Sequence, residues 1–205
     1  PVLCLGCFWS SPGLWGYISA VYHEKKKCIS KLTSQKVTYT DGMNIHSKEY
    51  LFDEWRYYRK ITNEKLLSAF KQIPRENFIG DNPASDAYCD HPLPIGFGQT
   101  ISQPTTVMLM LELLNLESTH TVLEIGGGSG YSAAVMSRLV KEVVSIEIIP
   151  ELVTFANKNL AQTKISNVMM VNFDGKVGYE KKAPYDRIVI AAAARTVPQA
   201  LFHQL

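Results

Sequence analysis

From residue 121 onward, short apolar runs alternate with stretches of helical periodicity, and few architectures accommodate that alternation. "TVLEI" (121–125), "EVVSIEI" (142–148), "NVMMVNF" (167–173) and "YDRIVIAAA" (185–193) read as strands, while residues 131–140 and 151–162 read as helices. Runs apolar at consecutive positions belong to strands covered on both faces, and strands joined through helices pair in parallel. The expected fold class is therefore α/β, with a doubly wound, mostly parallel sheet. A chain of 205 residues is long enough to bury one such core.

Upstream, Leu51, Phe52, Trp55 and Tyr58 recur at helical spacing, and Asn63 stands as an N-cap before Leu66, Leu67 and Phe70. Two short helices are predicted, the second ended by Pro74. Residues 80–98 carry Pro83, Pro92 and Pro94 between glycines and read as a surface loop. In that loop Asp86 and Asp90 bracket Tyr88 as turn caps. "TTVMLMLELLNL", after Pro104, reads as a helix with a broad buried face.

Charge and cysteine usage narrow the function classes. The formal net charge is +2, and no stripe of Lys and Arg interleaved with aromatics follows, so no nucleic-acid partner is expected. Four cysteines, Cys4, Cys7, Cys28 and Cys89, read as free thiols in a reducing, cytoplasmic compartment. Cys4, Cys7, His23 and Cys28 lack the second C-x-x-C pair of a zinc ribbon. The five histidines (His23, His46, His91, His120 and His203) show no ligand spacing, and no metal is expected.

Residues 2–22 are mostly apolar and precede Lys25, Lys26 and Lys27, which raises a membrane anchor. Pro12-Gly13 and the lack of positive charge ahead of the run argue against it. "GCFW" (6–9) resembles the active-site tetrapeptide of peptide methionine sulfoxide reductases, but too few residues precede Met43 to hold such a domain. Met43 opens a credible protein start. Residues 1–42 are accordingly read as an N-terminal extension, and 43–205 as the domain.

The strongest local feature is "VLEIGGGSGY" (122–131), a strand that runs directly into Gly126, Gly127, Gly128 and Gly130. Glycine is needed there because the chain must turn sharply into a helix and let a ligand approach its backbone. The spacing G-x-G-x-G, with Tyr131 following, departs from the G-x-G-x-x-G of dinucleotide folds. Glu147 ends the next strand, placed to accept both hydroxyls of a ribose. Asp174-Gly175 ends the strand after that, where an acceptor can take the exocyclic amine of adenine. Singly these are a tight turn, a solvated carboxylate and an Asp-Gly turn. Together, at successive strand ends of one sheet, they mark an adenosyl crevice.

From about Asn63 onward the chain resembles the protein-L-isoaspartate (D-aspartate) O-methyltransferases. The residues that carry the resemblance are "PRENF", "AYCDHPLPIGFGQTISQP", "VLEIGGGSGYSAAV", "VVSIEIIPELVTFANKNL", "DGKVGY" and "APYDRIVIAAAARTVPQALFHQL". The resemblance implies a Rossmann-like, S-adenosyl-L-methionine-dependent transferase that methylates the α-carboxylate of L-isoaspartyl and D-aspartyl residues in damaged proteins and so initiates repair. It implies isoaspartyl peptides and proteins as partners, and a monomer with no membrane role.

By the same resemblance Ser102 is the active-site serine, with Thr100 beside it. Gln99 and Ile101 lie over the cofactor. Glu124, Gly126, Gly128, Ser129 and Gly130 approach its methionine moiety, Glu147 and Ile148 its ribose, and Asp174 and Gly175 its adenine. Read from the residues alone, Thr100 and Ser102 are a pair of caps for the helix near Pro104.

Several departures accompany the resemblance. Gly127 and Phe173 stand where the family more often has threonine and glycine. Phe97 stands at a variable position, and Thr105 where many members have a histidine or aromatic. Family members also continue past Leu205, so C-terminal strands are expected to be missing and residues 187–191 to form an uncovered apolar sheet edge. Two rival readings follow: an adenosyl-binding module without activity, and a nucleotide-dependent oxidoreductase.

Overall fold

The computed structural model describes residues 2–4, 46–194 and 196–205. The sequence readings at Cys7, His23, Cys28, "GCFW", the apolar run beyond residue 4 and Met43 lie outside the described residues, as does the side chain of Cys4. Strands β1 (Val2–Cys4), β4 (Thr121–Ile125), β5 (Glu142–Glu147), β6 (Val168–Asn172) and β7 (Arg187–Ile190) form one sheet in the order β1-β7-β4-β5-β6, and every neighbouring pair is parallel. A separate antiparallel hairpin joins β2 (Leu93–Gly96) to β3 (Gln99–Ile101).

The helices are α1 (Lys48–Tyr57), α2 (Glu64–Gln72), α3 (Pro104–Leu113), α4 (Tyr131–Met136), α5 (Pro150–Gln162) and α6 (Gln199–Phe202). Each start has a local cause. Ser47 accepts from the Tyr50 amide to cap α1, Asn63 accepts from Lys65 and Leu66 to cap α2, and α3 and α5 open on proline. None of the helices among the described residues is long and apolar enough to cross a membrane.

The inner strands β4, β5 and β7 are buried on both faces, which is why their sequences do not alternate. One face, with Val122, Val143 and Val189, packs against α1 to α5. The other, with Leu123, Val144 and Ile188, is covered by Tyr185 and by Leu201 of α6. The chain steps from β4 outward through β5 to β6, then returns to lay β7 on the opposite side of β4. Strand order thus reverses between β4 and β7.

Several expectations are corrected. Strand β7 ends at Ile190 and is no open edge: Ile188, Val189 and Ile190 pair with Val2, Leu3 and Cys4. The half-exposed edge belongs to β6. Residues 80–98 are not wholly loop, because β2 lies within them and pairs with β3. Helix α4 stops at Met136 rather than 140, where the Ser137 hydroxyl bonds back to the Ala134 carbonyl at 2.6 Å and the chain tightens. The return from β6 to β7 carries two 3₁₀ turns, Gly175–Val177 and Glu180–Lys182, so the second face is thinly wound.

The α1–α2–α3 corner is keyed by Trp55. Its ring meets Phe70 edge-on at 4.7 Å, and its indole N–H donates to the Thr105 hydroxyl at 2.8 Å. Trp55→Phe keeps the aromatic bulk but removes that donor. The expected loss is about 1–3 kcal/mol, read as a lower urea midpoint at unchanged slope.

Candidate functional site

The chain leaving β4 folds back at once. The amides of Gly126 and Gly127 both donate to the Ile146 carbonyl, at 2.8 and 3.0 Å, so the loop lies across the end of β5. Gly126 has φ +90, and a Cβ there would stand 2.8 Å from the Ala192 backbone nitrogen. No side chain satisfies both conditions. This contact also shows that the loops after β4 and β7 meet at the point where strand order reverses.

Glu147, the last residue of β5, projects into that bend. One carboxylate oxygen accepts from the Gly128 amide and the other from the Ile149 amide, both at 3.0 Å, and the residue is 7% exposed. Each oxygen keeps a lone pair beyond its amide bond, so the carboxylate is a fixed, bidentate acceptor at the glycine loop. Ile148, next along, is 64% exposed.

The third strand end arrives beside it. The Asn172 side-chain amide donates to the carbonyls of Glu147 and Ile148, at 3.0 Å each, and the Phe173 amide donates to the Glu147 carbonyl at 3.2 Å. Asp174 follows, its carboxylate accepting from the Lys176 amide at 2.9 Å. Gly175 backs directly onto Ile125, the residue before Gly126. The turn reading of Asp-Gly is therefore correct as local structure, and that turn is set against the glycine loop.

Glu124 lies beneath the loop rather than in the crevice. It is fully buried, and one oxygen accepts from the Ser145 hydroxyl at 2.6 Å. Burial pushes its carboxyl up to about 7, against the pull of the Ser145 and Ser132 hydroxyls and with help from the nearby Glu147 charge. A side chain at Gly127 would collide with Ser145 and Met170. A larger residue at 127 therefore requires the Ser145 and Met170 side chains to move.

The hairpin supplies the remaining wall. Ile95 of β2 sits against Gly128, and β2 pairs with β3, so the hairpin packs beside the glycine loop. Gln99 and Thr100 are exposed, Ile101 is buried, and Ser102 is partly exposed. The expectation that Thr100 and Ser102 cap the following helix is corrected. Gln103 is the N-cap of α3 and makes no side-chain bond, while the Thr105 amide is taken by the Asp90 carboxylate at 2.9 Å.

Sequence reasoning missed three supports. Asn159 of α5 is buried and donates to the Ser129 carbonyl at 3.0 Å, tying the glycine loop to α5. Ser145 and Asn172 hold Glu124 and the Glu147 turn. Ser145, a hydroxyl inside the apolar run of β5, was the one visible signal among them.

A family model described as "Protein-L-isoaspartate(D-aspartate) O-methyltransferase (PCMT)" matches residues 46–205. The chain belongs to this family. It is 47% identical over 161 residues to the protein-L-isoaspartate O-methyltransferase of Methanothrix thermoacetophila, a match covering 77% of this chain and 75% of that one. It is 49% identical over 147 residues to protein-L-isoaspartate O-methyltransferase 2 of Marinobacter nauticus, covering 72% and 67%.

Among solved structures, a protein-L-isoaspartate O-methyltransferase superposes with a TM-score of 0.70 at 35% identity. That match covers 78% of this chain and 52% of the other, so the chain spans about half the solved protein's length. A second, described as a putative family member from Plasmodium falciparum in complex with S-adenosyl-L-homocysteine, superposes at 0.66 with 24% identity and shares the fold, covering 77% of this chain and 78% of that one.

The raised carboxyl of Glu124 gives the family member a testable pH response. Its folded value near 7 lies above the ordinary 4.5, so the stability it contributes is complete below pH 4.5 and is lost as pH rises through 7. Glu124→Gln abolishes that titration. Between pH 4.5 and 8 the wild type is expected to lose roughly 3 kcal/mol relative to the variant. Urea unfolding curves whose separation does not change with pH would refute the assignment.

Proposed function

We propose that the chain transfers a methyl group from S-adenosyl-L-methionine to the α-carboxylate of L-isoaspartyl, and D-aspartyl, residues in damaged proteins, the first step of their repair. Residues 43–205 act as the methyltransferase domain, a monomer working in the cytoplasm. The observation that carries the reading is the Glu147 carboxylate, held open toward the crevice by the Gly128 and Ile149 amides where three strand ends meet. Family membership supports the reaction and the substrate class.

The residues fit an adenosyl ligand. Glu147 accepts from the ribose hydroxyls, with Ile148 against the sugar and base. Asp174 and Gly175 receive the adenine edge. Gly126, Gly128, Ser129 and Gly130 leave room for the methionine part, and Glu124 supports them from below. Gln99 and Ile101 close over it. When bound, S-adenosyl-L-methionine supplies a methyl group already activated by its sulfonium.

The isoaspartyl α-carboxylate is ionised at neutral pH and is itself the nucleophile, so no strong base is required. The Ser102 and Thr100 hydroxyls donate to it and aim one oxygen at the methyl. The β2–β3 hairpin excludes water from the line of attack. One C–O bond forms, and the methyl leaves its sulfur as a thioether.

Labelled methyl transfer to an isoaspartyl peptide and to its aspartyl twin tests the reaction. Only the isoaspartyl peptide is expected to be labelled; equal labelling removes the repair reading, and cofactor binding without transfer leaves an adenosyl-binding module. Glu147→Ala is expected to weaken cofactor binding by about tenfold or more, measured calorimetrically on protein whose circular dichroism matches the wild type.

A further inference from the structure

Arg75 sits in the 3₁₀ turn Arg75–Phe78, after α2, and is fully buried. It makes no ion pair among the described residues. Its Nε donates to the Ala87 carbonyl and its Nη2 to the Ser102 carbonyl, both at 2.7 Å. Its guanidinium carbon lies 4.8 Å from the centre of the Tyr131 ring. Tyr131 is the first residue of α4, directly after Gly130, and Phe78 meets the same ring edge-on at 5.6 Å. The remaining Nη1 and the Tyr131 hydroxyl are both buried without a hydrogen-bond partner.

A buried cation without an ion pair is a poor means of stabilising a fold, because two carbonyls, a ring face and the more distant Asp90 carboxylate offset only part of its desolvation. What this guanidinium does uniquely is span. Its planar fork reaches two carbonyls on separate segments while its face rests on the ring that begins α4, a combination no ammonium can reproduce. One of the carbonyls belongs to Ser102, and the ring is anchored to the glycine loop. The two halves of the crevice, residues 99–102 and 126–130, are thus held in register through one side chain.

We propose that Arg75 is a positioning residue for methyl transfer: it fixes Ser102 relative to the glycine loop and so sets where the substrate carboxylate stands against the cofactor. This inference rests on the proposed function for the identity of the substrate, while the register it describes is a property of the protein alone.

The test uses the full chain with Arg75→Lys and Arg75→Met. Hydrogen exchange across residues 99–102 is expected to accelerate by at least about tenfold in both variants, with β6 unchanged. The KM for an isoaspartyl peptide is expected to rise by about tenfold or more while the cofactor Kd stays within about threefold. Arg75→Met leaves the Ala87 and Ser102 carbonyls without their donor and is expected to melt below the wild type while remaining folded.

The inference is overturned by unchanged exchange at 99–102, by acceleration in all segments together, by equal losses of peptide and cofactor affinity, or by failure of both variants to fold. If the wild type transfers no methyl at all, the proposed function falls, and the exchange comparison still decides the role of Arg75.

Discussion

The crevice depends on a carboxylate at the end of β5 that is bonded on each oxygen before any ligand arrives. Glu147 cannot turn away from the glycine loop without abandoning the Gly128 amide, or from the start of α5 without abandoning the Ile149 amide. Holding an anion 7% exposed is costly in solvation, and two backbone donors offset that cost while leaving lone pairs outward. In the proposed function this fixed acceptor receives the two ribose hydroxyls and loses little freedom on binding them.

Beneath this acceptor the sheet carries polar groups where apolar ones would be simpler. Glu124 and Ser145 face each other across the β4–β5 register, buried under Gly127 and Met170. The glycine there and the methionine of β6 are complementary: the thioether occupies the space a larger residue at 127 would need. The loop is supported from below by packing, from α5 by Asn159, and from the hairpin by Ile95. Fixing the loop from three directions is what lets its left-handed glycines stay in one conformation.

The parallel sheet was legible because its inner strands are buried on both faces and leave mostly apolar, non-alternating runs at 122–125, 143–146 and 188–190, broken only by Glu124 and Ser145. The placement of Glu147 and Asp174 at strand ends was legible because Glu147 closes the β5 run and Asp174 follows the apolar stretch of the edge strand β6. The hairpin was not: β2 and β3 have four and three residues and include Pro94, too few for alternation to register. Strand β1 is equally short, and its partner β7 is nearly the whole sequence away, so nothing local announced that β7 would be covered. In the sequence Arg75 stands out only as one residue of "PRENF". Its partners are backbone carbonyls 12 and 27 residues distant, and a bond to a carbonyl leaves no trace in the partner's side chain.

The proposed function requires the ends of β4, β5 and β6 to converge on one adenosyl group. Backbone amide chemical shifts followed during titration with S-adenosyl-L-homocysteine test it most directly. The amides of Gly128, Ile149 and Gly175 are expected to move together along one saturating curve, while those of α1 stay still and NAD at equal concentration leaves all of them unmoved. Shifts confined to a single strand end, or equal responses to NAD, would contradict the account.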